Sequence, residues 1–298
     1  MEYKCSDCPR NCAAMRGETN EHGVCVSPAL AHVVRAAPHF GEEPCISGTK
    51  GSGAVFFSGC NLRCVYCQNR EISRSSAGKE LTSEQLRTLF LKLRDQGVHN
   101  INLVTPTHYT REIAKALDGL ELGIPVVWNS SGYEKVEMLR MLEGLVQIYL
   151  PDLKYMQRFT AAKYSGASEY PIVAVSAINE MYRQVGAYKM DDDEILKSGL
   201  LIRHLILPGQ EQNTKEVIDY VADNFPKGSV LFSLMSQYTP MPWLSKYPEL
   251  QQRVAPEVCD RLRDYMMDRG IEDGYWQEPC SATDDMIPEF DLTGLEDF

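Results

Sequence analysis

The stretch Ala54-Val55-Phe56-Phe57-Ser58-Gly59-Cys60-Asn61-Leu62-Arg63-Cys64-Val65-Tyr66-Cys67 joins an apolar run to three cysteines spaced C-x3-C-x2-C. A short apolar, aromatic run reads as a strand buried on both faces. The thiols then occupy the loop that leaves its C-terminal end, where parallel α/β barrels gather their reactive groups. Thiolates are the preferred ligands of iron–sulfur clusters and also bind zinc. A four-iron cubane on three protein thiolates keeps one iron without a protein ligand. An open coordination position marks a catalytic rather than a structural metal site. Gly59, Asn61 and Gln68 can bend the loop and donate hydrogen bonds to the sulfurs.

Outward from this loop, short β-branched runs alternate with amphipathic helical stretches. Strands are expected at 54–58, 100–105, 125–129, 147–150, 200–207 and 230–235, and helices at 82–96, 110–120, 134–142, 170–185 and 214–224. The first helix opens on Thr82-Ser83-Glu84-Gln85, carries Leu86, Leu89, Phe90 and Leu93 on one face, and ends at Gly97. Strands joined by helical crossovers imply a parallel sheet, and the right-handed crossover curves it. Six units fall short of the eight of a closed barrel, so the expected fold is α/β, a partial (β/α)6 barrel. Residues 51–245 form that barrel in this reading. Residues 1–50, with four cysteines and little periodicity, form a small Cys-rich metal-binding module, and 246–298 a C-terminal helix and tail. The tail after Gly270 is acidic and rich in turn residues, either a loosely ordered end or a flap over the barrel mouth.

The 298 residues carry a formal net charge of -11. An acidic surface repels phosphate backbones, which disfavours a nucleic-acid partner. No apolar run is long enough to cross a bilayer, and residues 1–10 do not read as a signal peptide. A cytoplasmic protein is expected. In such a protein ten cysteines point to metal binding or catalysis rather than disulfides.

C-x3-C-x-aromatic-C, with Tyr66 as the aromatic, resembles the signature of the radical S-adenosylmethionine (SAM) enzymes. Val127-Trp128-Asn129-Ser130-Ser131-Gly132-Tyr133 resembles the third-strand end of glycyl-radical-enzyme activating enzymes, Asp152-Leu153-Lys154 their segment after the fourth strand, and Ile202-Arg203 through Leu207-Pro208-Gly209 their fifth strand. The chain is similar to the pyruvate formate-lyase-activating-enzyme-like branch that carries an extra cysteine-rich N-terminal segment. The resemblance implies a [4Fe-4S] cluster on Cys60, Cys64 and Cys67 whose open iron holds SAM. One electron then cleaves SAM to a 5'-deoxyadenosyl radical that takes a hydrogen atom from a substrate. It places Asp152, Lys154 and Arg203 in the SAM pocket; Lys154 and Arg203 could hold its carboxylate. Asn129, Ser130 and Asp152 fall where some activating enzymes hold a monovalent cation beside SAM, although an acidic residue stands there in place of Asn129. Many members carry a "GGEP"-like segment after the second strand. This chain has Thr105-Pro106-Thr107-His108-Tyr109, making Thr105, Thr107 and His108 candidates for an altered SAM contact or a substrate contact. His108 reads equally as a structural histidine bonded to a backbone carbonyl. The substrate is a glycyl-radical partner enzyme, another protein or peptide, or a small molecule, and the electron donor is of the flavodoxin or ferredoxin kind. A reading of another class is a non-catalytic iron–sulfur or zinc protein serving electron transfer or interaction.

Cys5, Cys8, Cys12 and Cys25 supply four thiolates, a complete shell that fits structural zinc or a closed second iron–sulfur cluster. Cys45, Cys259 and Cys280 read as plain thiols. Gly51-Ser52-Gly53 precedes a strand and so does not match a phosphate-binding loop. Asp191-Asp192-Asp193-Glu194 reads as a solvated turn.

Overall fold

The computed structural model describes residues 3–17, 23–277 and 288–298; Cys280 lies outside the described residues. Two short strands, β1 (Tyr3–Lys4) and β2 (Met15–Arg16), pair antiparallel. The main sheet is built from β3 (Ala31–His39), β4 (Ser52–Phe57), β5 (Lys79–Leu81), β6 (Ile101–Val104), β7 (Val126–Ser130), β8 (Ile148–Pro151), β9 (Lys189–Met190), β10 (Leu196–Leu205), β11 (Leu231–Met235) and β12 (Gly274–Gln277). Its order is β12-β11-β10-β8-β7-β6-β4-β3-β5, with β9 against β10. Neighbours from β4 through β12 run parallel, whereas β3 is antiparallel to both β4 and β5. The outermost strands β12 and β5 do not pair, so the sheet is open and no barrel closes.

The six parallel strands expected from the sequence form the middle of this sheet. Every residue of β4, β6, β7 and β8 is buried, as wholly apolar strands covered on both faces should be. Three strands carry no such signal. β3 mixes Arg35, Pro38 and two histidines into its run, and β5 and β12 are short and polar or glycine-bearing. They form because a neighbouring strand already offers its free edge. β3 lies inside the first fifty residues and extends the main sheet beside β4. The tail reaches the same edge: Leu292 N–H donates to Val34 O at 3.0 Å, Ala36 N–H to Thr293 O at 2.9 Å, and Phe290 packs edge-on against Phe56.

Helix Ser83–Asp95 starts where Thr82 caps it: Gln85 N–H donates to Thr82 Oγ1 and Thr82 N–H to Gln85 Oε1, a reciprocal capping box. Its buried face is Leu86, Leu89, Phe90 and Leu93. Helix Tyr170–Val185 lies as expected. The expected helix 134–142 is one α-turn, Val136–Leu139, tightening into a 3-10 turn, Arg140–Leu142. Helix Arg158–Ser165 was not signalled; it ends on Gly166, whose left-handed φ of 61° stops the helix. Pro256–Asp268 is the C-terminal helix. Among the described residues no helix is long and apolar enough to cross a membrane.

Candidate functional site

The C-terminal ends of β4, β6, β7, β8, β10 and β11 surround a cavity of about 300 Å³. Cys60, Cys64 and Cys67 line one side. Burial pushes the Cys60 thiol up to about 12, and the charge of Cys64 adds to the shift. Cys64 is raised by burial too, against the pull of Lys154. Three half-buried thiolates this near one another repel unless a cation is bound with them. Each sulfur has a donor close by: Leu62 N–H at 3.4 Å from Cys60, Ser165 Oγ at 3.0 Å from Cys64, Ser73 Oγ at 3.5 Å from Cys67. Among the described residues no three His, Cys, Asp or Glu side chains converge as ligands of a single ion. A four-iron cluster is a larger body, and its preferred donors are these thiolates. The donor set fits that group.

The same cavity has a charged floor. Arg203, at the end of β10, donates from Nε to Asp152 Oδ1 at 2.9 Å, from Nη1 to Glu42 Oε2 at 2.9 Å and from Nη2 to Asn129 Oδ1 at 2.8 Å. Glu43 Oε2 lies 3.7 Å from the same guanidinium. Lys154 Nζ donates to Asp152 Oδ2 at 2.6 Å. Burial pushes the Asp152 carboxyl up, but Lys154 and Arg203 outweigh it and hold the pKa below the usual value. Burial likewise raises Glu43, which Arg203 only partly offsets. Asn129 Nδ2 donates to Glu42 Oε1 at 3.0 Å, locking the floor to the segment before β4.

Thus Asn129, Asp152, Lys154 and Arg203 are brought together, and Ser130 and Thr105 line the same cavity. Ser130 donates to buried Glu134, which also accepts from Trp128 Nε1 and Thr107 Oγ1. Thr105 sits at φ 59°, unusual for a β-branched residue and costing about 1–3 kcal/mol. Backbone strain of this kind clusters where a chain must present itself to a ligand. His108 stands apart. Its Nε2 bonds Ser58 O at 2.7 Å behind the cysteine loop, and burial lowers its pKa to about 3. It is a neutral histidine that fixes the start of the loop, and it does not line the cavity. Gln237, Tyr238 and Pro288 complete the rim.

The N-terminal cysteines pack behind the same loop. Cys5, Cys8 and Cys25 are buried and Cys12 is exposed. Burial pushes Cys8 up to about 11, and the charges of Cys25, Cys5 and Cys12 all act on it, so the four thiols share one neighbourhood. Arg16 Nη2 donates to Cys25 Sγ at 2.9 Å. Arg10 reaches Asn61 O at 2.7 Å, and Arg63 donates to Val24 O. A Cβ on Gly59 would stand 2.5 Å from Cys25 O, so the two cysteine groups lie backbone to backbone.

Sequence reasoning missed Glu42, Glu43, Glu134 and Ser165. The adjacent pair in Gly41-Glu42-Glu43-Pro44 is the one signal the sequence offers, because carboxylates flanking an apolar strand need a cation. Nothing in the sequence reveals which cation it is.

The thiol loop and the first half of this sheet fall within one recognisable domain. Residues 54–166 match the radical SAM superfamily model, and the chain carries that domain; a [4Fe-4S] cluster and SAM are its implied cofactors. An uncharacterized protein of Methanocaldococcus jannaschii is 29% identical over 233 residues, 75% of this chain and 63% of that protein. The pyruvate formate-lyase-activating enzyme of Clostridium pasteurianum is 48% identical over 40 residues, 13% of this chain and 17% of that enzyme. The chain therefore spans less than two thirds of the length of these relatives. The crystal structure of SuiB from Streptococcus suis shares the fold at TM-score 0.52 and 14% identity, covering 78% of this chain and 52% of that one. SuiB has also been solved bound to S-adenosylmethionine and to the precursor peptide SuiA.

Proposed function

We propose that this protein is a radical SAM enzyme, with Cys60, Cys64 and Cys67 as ligands of a [4Fe-4S] cluster and SAM in the adjoining cavity. The observation that carries the reading is the cavity itself, lined both by three thiols and by the fixed charged group Asp152, Lys154 and Arg203. When bound, the cluster supplies the electron that cleaves SAM to a 5'-deoxyadenosyl radical. The chain's own residues hold and orient. Lys154 is cationic and tethered by Asp152, so it can share that salt bridge with a carboxylate in the cavity. Arg203 keeps Asp152 and Asn129 in place, acting on SAM through them. Thr105, in its left-handed conformation, lines the cavity, and its backbone carbonyl could accept from an amino group of a ligand held there. The buried walls exclude water, protecting a reactive product from solvent.

The stretch shared with pyruvate formate-lyase-activating enzyme supports a glycyl-radical partner as the hydrogen donor, and SuiB's complex with a peptide supports a peptide substrate. Arg63, Arg70 and Arg74, none in an ion pair among the described residues, surround the loop of an acidic chain. They favour an acidic electron-donor protein of the flavodoxin or ferredoxin kind. Cys5, Cys8, Cys12 and Cys25 lie in one neighbourhood without converging on a single ion; a second metal, zinc or iron–sulfur, would have to draw them together, and it would then stiffen the back of the loop.

The test is anaerobic purification with iron, sulfide and zinc counted per chain, for the parent and for Cys60/Cys64/Cys67→Ala, with EPR of the reduced protein with and without SAM. The expected outcome is loss of about four irons in the variant and a SAM-dependent spectrum in the parent. A parent that holds only zinc, or whose spectrum ignores SAM, overturns the reading and favours a non-catalytic metal protein. The metal left in the variant identifies the N-terminal site. A protein-centred radical on a candidate partner separates the activase from the peptide or small-molecule version.

A further inference from the structure

Ser165 Oγ stands 3.0 Å from Cys64 Sγ, the shortest polar contact to any of the three loop sulfurs. Behind it, Tyr155 Oη lies 2.8 Å from Ser165 Oγ, and Tyr66 Oη lies 2.6 Å from Tyr155 Oη. Tyr66 directly precedes Cys67, so the line of hydroxyls starts from the loop at Tyr66 and returns to it at Cys64. Ser165 and Tyr155 are 0% exposed and Tyr66 is 7% exposed, leaving little room for water to replace any link.

The direction of the chain follows from proton counting. A cluster-bound Cys64 is a thiolate and can only accept. Ser165 has one hydroxyl proton, so it donates to sulfur and its oxygen accepts from Tyr155. Tyr155 then has no proton left for Tyr66, and Tyr66 must donate to it. Each link polarises the next and strengthens the terminal O–H donor. Ser165 has no freedom to turn away. It is the last residue of helix Arg158–Ser165, and Gly166 in the left-handed region ends the helix there. The carbonyl of Ser165 accepts from Arg10 Nη2 at 3.1 Å and from Arg63 N–H at 3.3 Å.

We propose that Tyr66, Tyr155 and Ser165 form a one-way donor line to Cys64, with Ser165 the positioning residue that raises the reduction potential of the cluster. The inference rests on the reading of Cys64 as a cluster ligand. Hydrogen bonds to ligand sulfurs stabilise the more electron-rich reduced state and are among the levers that set such potentials. Because Tyr66 also lines the cavity, the far end of the line touches the space that SAM fills. A ligand that draws on the Tyr66 hydroxyl weakens the line and shifts the potential from a distance.

The experiment is an EPR-monitored redox titration of reconstituted parent, Ser165→Ala, Tyr155→Phe and Tyr66→Phe proteins, with iron counted in each. At the potential where the parent is half reduced, the reduced-to-oxidised ratio is expected to fall about tenfold in Ser165→Ala, the scale of one hydrogen bond to a charged group. Smaller falls are expected in Tyr155→Phe and smaller still in Tyr66→Phe. A residue that serves only packing would not produce this graded order. Intact clusters with unchanged potentials in all three variants overturn the inference. If Ser165→Ala loses its iron, the two phenylalanine variants, which delete only a hydroxyl, decide the matter: unchanged potentials in both overturn it. A parent without iron overturns the underlying ligand reading instead.

Discussion

Arg203 shows how much one side chain can carry. It neutralises Asp152 and Glu42 directly and faces Glu43, yet only 14% of it is exposed. Replacing it with Met would leave three carboxylates about Lys154 alone, and removing one partner of such a buried network costs roughly 3–5 kcal/mol. A fall of that size in urea-derived stability is expected for Arg203→Met, with part recovered when Glu42→Gln is added. Gly59 is a second such residue. At φ 81° its added Cβ would meet Ser27 Oγ at 2.1 Å and Cys25 O at 2.5 Å. Gly59→Ala must lift the cysteine loop off the N-terminal segment, and reconstituted iron per chain is expected to drop while far-UV circular dichroism stays near that of the parent. At this scale the sequence is legible where chemistry demands a spacing. Three thiols announce themselves; Glu42, which serves by meeting residues far along the chain, does not. For His108 the sequence leaves two readings side by side, a cavity contact and a structural histidine, and the bond to Ser58 O accords with the second.

Among the elements, those with strong periodicity were readable. Helix Ser83–Asp95 displays its cap, its apolar face and its stop in consecutive residues. Thr82→Ala should remove about 1 kcal/mol of stability with no change in iron content, measured by denaturant titration and metal analysis together. Strands β4, β6, β7 and β8 were equally plain because burial on both faces forces an unbroken apolar run. β3 was hidden because polar side chains interrupt its apolar run and find their own partners: His32 bonds Ser76 O, and Arg35 reaches Asp291. Helix Arg158–Ser165 was hidden because it is only eight residues long and weakly patterned. It nonetheless carries the hydroxyl nearest a cysteine sulfur.

For the molecule as a whole, two buried histidines set a response to acid. Burial lowers His204 to about 4 and His108 to about 3, against an ordinary value near 6.5. The unfolded chain therefore binds more protons than the native one below that value. Stability is full above about pH 6.5 and falls as pH drops toward 4, by about 1.4 kcal/mol per unit for each histidine. Urea midpoints between pH 7 and pH 5 should show this slope, and His204→Asn should reduce it. His204 bonds Leu153 O and Thr214 Oγ1, so the variant must be compared with its own value at pH 7.

The bond between Arg203 and Glu42 joins residues 161 positions apart, and this has a consequence in time. During synthesis the N-terminal part of a chain is available first, so Cys60, Cys64 and Cys67 emerge long before the residue that closes the floor opposite them. An iron–sulfur centre delivered early would meet thiols at the edge of an unfinished sheet. Delivered after release, it meets a finished chamber. A chain truncated before Arg203 is accordingly expected to keep its thiols yet bind no SAM in equilibrium dialysis, an outcome that would make cofactor loading the last act of the protein's assembly.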